Sequence, residues 1–217
     1  MIRFIVLVAI SIKITGLSYA QNFINPDLDG IISGEFSLPD YWQNVPATDV
    51  NCEAKIFSHQ DTPDLTGIFE PNSLRGIIGN PYSGSTFVCG LRAGDYHEGI
   101  MQQVSGFIPG SIYVISFYQS VVKQTNCLDP SGSWAVYFDN SLIGISSPTF
   151  SYAPFNSTNF KWELRKLSFK ASDSIHIIKF LPTDNDTNIE FSDINQNGGL
   201  RMGIDHINLN LCLTAVD

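Results

Sequence analysis

Apolar and polar positions alternate along most of the chain, and no segment sustains apolar residues at i, i+3, i+4 and i+7. Successive side chains of a strand point to opposite faces, so alternation predicts half-buried strands and an all-β fold with very little helix. The clearest case is 111–123, SIYVISFYQSVVK, where Tyr113, Ile115 and Phe117 share one face and Val114, Ser116 and Tyr118 the other. Just upstream, 99–105 alternates likewise and places Ile100, Gln102 and Val104 together. With Pro109-Gly110 between them, the two segments are expected to form a strand, turn, strand unit.

Further strands are expected at 31–36, 86–92, 133–139, 142–146, 160–171, 174–181 and 200–211, and Asp139-Asn140-Ser141 reads as a hairpin turn. Many short strands separated by turn residues point to a sandwich or barrel. The alternation lapses over 38–82, which is rich in Pro, Asn, Asp and Ser. A loop of that length inside a compact domain is uncommon and tends to be functional or poorly ordered.

The N-terminus has its own pattern: basic Arg3, an apolar run from Phe4 to Ile12, and a Ser18-Tyr19-Ala20 ending. This is the form of an export signal cleaved before Gln21. The run is about half the roughly 20 residues of a spanning helix, Lys13 breaks it, and no second apolar stretch of spanning length follows. The expectation is a signal peptide at 1–20 and one domain at 21–217, secreted or on the cell surface and not membrane-spanning. A chain of 217 residues stands at the upper end for one sandwich.

The formal net charge is -9, and removing Arg3 and Lys13 leaves 10 basic residues against 21 acidic ones. Such a surface is unsuited to nucleic acid, whose phosphates require a cationic partner. Aromatic residues make up 12% of the chain, which implies a folded domain and not an acidic tail. Export would place Cys52, Cys89, Cys127 and Cys212 in an oxidising compartment, allowing two disulfides in any of three pairings. No cysteine or histidine spacing fits a zinc site.

Catalytic signatures do not occur: there is no GxSxG, HExxH, P-loop or GxGxxG, and His59, His97, His176 and His206 are scattered. His176 reads as an ordinary strand residue. Asp184-Asn185-Asp186-Thr187-Asn188 lacks the glycine and glutamate of an EF-hand, and His59, Asp61 and Asp64 read as loop. The protein is expected not to be an enzyme.

The run from Gly99 to Gln119 resembles the strand, Pro-Gly turn, strand signature of galactose-binding-like jelly-roll modules. Ser33-Gly34-Glu35-Phe36 followed by Tyr41-Trp42, and Gly203-Ile204-Asp205-His206-Ile207 near the C-terminus, are similar to that family's opening and closing segments. These pieces run in the family's order from about Ile32 to Leu211. The 38–82 insertion and Cys52, Cys89 and Cys127 depart from its pattern. The resemblance implies a β-sandwich jelly roll like the carbohydrate-binding modules of bacterial polysaccharide-degrading enzymes and exported surface proteins. It also implies that Glu35 and Asp205 meet beside the chain ends, where such modules often hold a structural Ca2+.

Sugar recognition needs flat aromatic faces bordered by hydrogen-bonding groups. The candidates are Trp42 with its neighbour Tyr41, Tyr82, and Tyr96 beside His97 and Glu98. Parity turns Tyr118 away from Tyr113, Ile115 and Phe117, turns Tyr137 away from Trp134, Val136 and Phe138, and sets Gln103 opposite to Gln102. Outward Tyr118, Tyr137 and Gln103 are expected to line one exposed sheet face. The leading expectation is a non-catalytic exported module that binds a poly- or oligosaccharide. The alternatives are an adhesive surface module that binds another cell-envelope protein and, behind it, a polysaccharide hydrolase, because this architecture hosts several roles.

Overall fold

The structure, a computed structural model, describes residues 22–34, 36–46, 63–68, 79–93, 96–123, 131–150, 153–154, 161–184 and 200–212. The expected export segment, Glu35, Cys52, Cys127, His59, Asp61 and the 185–188 turn lie outside the described residues, as do the side chains of Tyr96 and His97.

Thirteen strands occur among the described residues: β1 (Gln43–Asn44), β2 (Asp64–Gly67), β3 (Thr86–Ala93), β4 (Tyr96–His97), β5 (Ile100–Ser105), β6 (Ile112–Lys123), β7 (Ser131–Phe138), β8 (Ser141–Ile145), β9 (Thr149–Phe150), β10 (Ala153–Pro154), β11 (Glu163–Lys170), β12 (Ile175–Asp184) and β13 (Leu200–Leu211). They build two sheets. The first runs β1-β5-β12-β7-β8, with β9 on β7, and the second runs β10-β6-β13-β3-β2, with β11 on β6 and β4 on β3. All pairings are antiparallel except β10 on β6. No helix among the described residues is long and apolar enough to cross a membrane. The fold is the all-β jelly-roll sandwich that the alternation and the resemblance imply.

Alternation explains the core. Tyr113, Ile115 and Phe117 of β6 turn inward and meet Trp134, Val136 and Phe138 of β7 with Ile178 and Phe180 of β12. Phe117 meets Phe180 edge-on at 5.6 Å. Each such fully buried side chain contributes roughly 1.5–3 kcal/mol. Trp134 ties the layers together directly, because its indole Nε1–H donates to the Gly203 carbonyl at 3.1 Å across the sandwich. Inward Gln102 is satisfied by the N-terminal segment: its oxygen accepts from the Ile24 N–H and its amide donates to the Ile24 and Tyr41 carbonyls.

One expectation is refined and two are corrected. First, the expected strand, turn, strand unit forms, but its strands are not paired with each other: β5 lies in the six-stranded sheet and β6 in the seven-stranded one. Phe107 is the cause, since it is buried between the layers against Tyr113, Phe138 and Phe169, and so draws the connection across. The Pro109-Gly110 turn hands the chain from one sheet to the other. Second, no strand forms among the described residues of 31–36. Phe36 has φ of 65° and Gly34 has φ of 147°, and the Ser37 hydroxyl closes a tight turn by donating to the Gly34 carbonyl. Third, the 38–82 segment is not purely loop, because it supplies β1 to one sheet and β2 to the other.

Of the four cysteines, Cys89 and Cys212 lie among the described residues, and both carry free thiols. Cys89 pairs with Gly203 across β3 and β13, and Cys212 lies nine residues further along. At ~3.3 Å per residue the two are about 30 Å apart, far beyond the ~7 Å Cα separation a disulfide tolerates. Cys89 is buried, and burial pushes its thiol up to about 12.

Candidate ligand-binding site

Three strands of the seven-stranded sheet, β11, β6 and β13, present an outer face whose side chains follow from register. Leu164 lies opposite Tyr118, which lies opposite Asp205. The next row is Lys166, Ser116 and Asn208, and the third is Ser168, Val114 and Asn210. A β-bulge between Asp205 and Asn208 places one extra residue on β13, and His206 there takes a φ of 50°. The bulge keeps Asn208 and Asn210 outward while Ile207 and Leu209 stay in the core.

Tyr82 completes the site from the loop before β3. Asp205 holds that loop: its Oδ2 accepts the N–H groups of Tyr82 at 2.7 Å and Ser83 at 3.0 Å, and its Oδ1 accepts the His206 N–H at 2.7 Å. Burial pushes the Asp205 carboxyl up to about 7, even though these three donors favour the ionised form. Beside it, Asp29 Oδ1 accepts from the Ser85 and Thr86 N–H groups. Gly84, at φ of 63°, lets that carboxylate approach, because a Cβ there would stand 2.4 Å from Oδ1.

With its backbone fixed, the Tyr82 ring lies over Tyr118, centroids 3.4 Å apart and planes 15° from parallel. The Tyr82 hydroxyl also donates to the Tyr118 hydroxyl at 2.7 Å. That hydrogen bond holds the Tyr82 phenol above its ordinary pKa. His206 stands 5.6 Å from Tyr82 and 6.1 Å from Tyr118, with its Nδ1 on Asp27 Oδ1 at 2.5 Å. Trp162 lies over Gly203, where a Cβ would meet the indole at 2.9 Å. Its Nε1–H donates to the Asn80 carbonyl and its ring meets Phe87 edge-on.

The result is an aromatic slab with Tyr82 45% exposed at the top, next to hydroxyl, amide and ammonium groups one row away. A sugar ring needs an apolar surface for its C–H face and donors or acceptors for its rim, and this face supplies both.

The other expected residues lie elsewhere. Trp42, 4% exposed, is core: it stacks on Phe23 at 5.3 Å and donates to the Asn25 carbonyl. Glu98 is buried, with Oε2 accepting the Leu91 N–H at 2.7 Å. Tyr96 and His97 form β4 on the edge of β3. Gln103 and Tyr137 point outward, but from the six-stranded sheet, on the opposite side of the sandwich from Tyr118. Tyr137 is only 3% exposed and packs with Val45, Ala135, Leu181 and Met101. The three therefore do not share one face: parity separates inward from outward but does not say which sheet a strand joins.

Of the two expected calcium ligands, Glu35 lies outside the described residues and Asp205 directs its oxygens at backbone N–H groups. One oxygen already takes two N–H donors and the other takes one, and no group of three His, Cys, Asp or Glu is placed for a metal among the described residues. Trp162, Ser116, Asn208 and Lys166 were not among the expected site residues. The alternation of 163–170 marks Leu164, Lys166 and Ser168 as outward, but their place beside Tyr118 depends on the pairing of β11 with β6.

His176 is more than a plain strand residue. Buried against Phe107 and Phe138, it engages Asp139 Oδ2 through Nδ1 at 2.8 Å and accepts the Asp173 N–H on Nε2 at 3.1 Å. Burial pulls Asp139 upward, but the Ile177 N–H and His176 outweigh it and hold that carboxyl below its ordinary value.

No protein-family model matches the sequence, and no curated protein does. Solved structures do resemble it. TmCBM61 in complex with beta-1,4-galactotriose is 12% identical with a TM-score of 0.42, over 89% of this chain and 100% of that one. The CBM22-1-GH10 modules of the Clostridium thermocellum endo-1,4-beta-D-xylanase 10B, complexed with xylohexaose, are 11% identical with a TM-score of 0.43. That match covers 91% of this chain, which spans only 29% of the xylanase chain. The K2 cleaved adhesin domain of Lys-gingipain is 10% identical with a TM-score of 0.48, over 88% of this chain and 98% of that one. These are likenesses of fold, and the functional reading rests on this chain's own residues.

Proposed function

We propose that the protein is a non-catalytic carbohydrate-binding module whose glycan lies on the outer face of the seven-stranded sheet, with Tyr82 as the stacking platform. The observation that carries this reading is the immobilised aromatic pair, Tyr82 laid on Tyr118 and anchored through two backbone N–H groups to buried Asp205. A platform held before the ligand arrives avoids the ordering cost of roughly 0.5–1.5 kcal/mol per immobilised side chain. Export through the N-terminal segment would place the module among extracellular or cell-surface polysaccharides.

Glycan-array binding followed by affinity electrophoresis tests the reading. The wild type is expected to retain at least one glycan class, and Tyr82→Ala with Tyr118→Ala is expected to weaken that retention at least about tenfold, the loss of one stacking contact of ~1.4 kcal/mol. Binding that survives the double substitution unchanged, or no glycan retained at all, contradicts it.

A second reading, an adhesive module for another cell-envelope protein, is favoured by exposed Ile31 and Tyr41, at 84% and 70%, in the N-terminal segment. Capture of an envelope protein that is lost in Ile31→Ser with Tyr41→Ser, while glycan binding is absent, selects this reading over the first.

A further inference from the structure

Cations are placed unevenly on this acidic chain. Arg201 and Lys179 are buried, and Arg165 turns toward the sandwich interior, where it engages Glu163 and the Ser147 and Pro148 carbonyls. Among the residues whose side-chain exposure is described, every exposed Lys or Arg falls within 161–170: Lys161, Lys166 and Lys170. Lys166 and Lys170 both point outward from β11, onto the face that carries Tyr118.

Among the described residues, the outward strand positions around Lys166 carry no exposed carboxylate. Across the three strands these positions are Leu164, Lys166, Ser168 and Lys170 on β11, Ile112, Val114, Ser116 and Tyr118 on β6, and Asn208 and Asn210 on β13. Asp205, the one acid in these rows, is buried and held by backbone N–H groups. On a chain with 21 acidic residues against 12 basic ones, strand rows that carry two unpaired lysines and no exposed carboxylate are a local reversal of sign, with Asp27 adjoining the platform through its contact with His206. At physiological salt the Debye length is ~8 Å, so a bound group feels this face more than the acids on the far side.

Geometry sets the lysine within one step of the platform. Lys166 lies directly opposite Ser116 and diagonal to Tyr118, a separation of roughly 7–8 Å between strand positions. Ser116 and Asn208 share its row, so hydroxyl, amide and ammonium donors converge there. Charge-assisted hydrogen bonds from an ammonium to an anionic oxygen are about twice as strong as neutral ones, and lysine contributes a point charge on a flexible stem.

We infer that the ligand is an anionic glycan, a pyranose bearing a carboxylate or sulfate whose charged substituent sits at Lys166 beside Ser116 and Asn208 while a ring lies on Tyr82. This rests on the outer face being the glycan site and adds the chemical class of the glycan. Net charge alone gives the opposite expectation, repulsion of polyanions, which makes the inference discriminating.

The test is affinity electrophoresis of the full chain in matched pairs of polymers: polygalacturonate against its carboxyl-reduced form, and a sulfated galactan against its desulfated form. At least one anionic polymer is expected to bind at least tenfold more tightly than its neutral partner, and the arm that does so distinguishes carboxylate from sulfate. Lys166→Gln should abolish that preference while leaving the melting temperature within about 2 °C, as for an exposed side chain without an ion pair. Lys166→Arg should restore most of the preference. Equal binding of charged and neutral partners, or an anionic preference untouched by Lys166→Gln, overturns the inference and leaves the glycan site standing. Binding to none of the four polymers, together with binding to vesicles containing anionic phospholipid, would assign the lysines to a lipid surface and overturn it as well.

Discussion

Tyr118 and Tyr137 both point away from the core, one from each sheet, and the sandwich treats them in opposite ways. On the seven-stranded sheet Tyr118 underlies Tyr82 and borders serine, asparagine and lysine positions. On the six-stranded sheet Tyr137 is buried with Val45, Ala135 and Leu181, and even Lys179 beside it is buried, its Nζ donating to Asn140 Oδ1 at 3.0 Å. Every residue of β7 is buried, whereas the outward positions of β6 from Ile112 to Tyr118 are half-buried or exposed. An outward residue in a sandwich is therefore not yet a surface residue. The polarity of its neighbours across the sheet shows the difference, and only the seven-stranded face combines an open aromatic with donors around it.

The two faces should differ most in what their tyrosines contribute to stability. Tyr137→Ala removes a buried ring and is expected to cost about 3–5 kcal/mol in urea unfolding. Tyr118→Ala removes a half-buried ring paired with Tyr82 and should cost under about 1.5 kcal/mol. Equal losses would mean that the two faces are alike.

The next effect is a pH dependence. Burial raises Asp205 from 3.8 to about 7, so between those values the folded state binds more protons than the unfolded chain. Stability attributable to this group is therefore full below about pH 4 and declines as pH rises through 7, by an upper bound of ~4 kcal/mol. Asp205→Asn should remove that slope. Asp139, held below 3.8, acts with the opposite sign: its contribution is present above the ordinary carboxylate range and is lost as pH falls through its lowered value. Asp139→Asn should flatten the acid limb and leave the decline toward neutral pH intact, as pH-resolved unfolding would show.

A smaller effect is expected at Gly203, where an added Cβ would press on the Trp162 indole at 2.9 Å. Gly203→Ala should cost about 1–3 kcal/mol by overpacking and displace the indole, read as a change in tryptophan emission. An unchanged spectrum would mean that Trp162 does not rest on the sheet.

Much of the fold was legible in the sequence, because burying one face of a strand imposes alternation. The inward sets Tyr113, Ile115, Phe117 and Trp134, Val136, Phe138 follow from parity alone, and the 200–211 strand matches β13 to the residue. What parity cannot carry is long-range pairing. Assigning β5 and β6 to opposite sheets depends on Phe107, and separating Tyr118 from Tyr137 depends on the same crossing. Of the expected site residues, Tyr82, Tyr118 and Asp205 come together, but through backbone N–H groups that no side-chain pattern reveals. Trp42 failed as a surface candidate because Phe23, well upstream, stacks on it.

A chemical-shift footprint of the isotopically labelled protein, titrated with the glycan that it retains, shows directly which sheet face holds the ligand. Perturbed amides at Tyr82, Ser116, Tyr118, Lys166 and Asn208, with Met101, Gln103, Tyr137 and Ile177 unmoved, is the predicted result. A footprint centred on Gln103 and Ile177 would place the ligand on the six-stranded sheet and contradict the account.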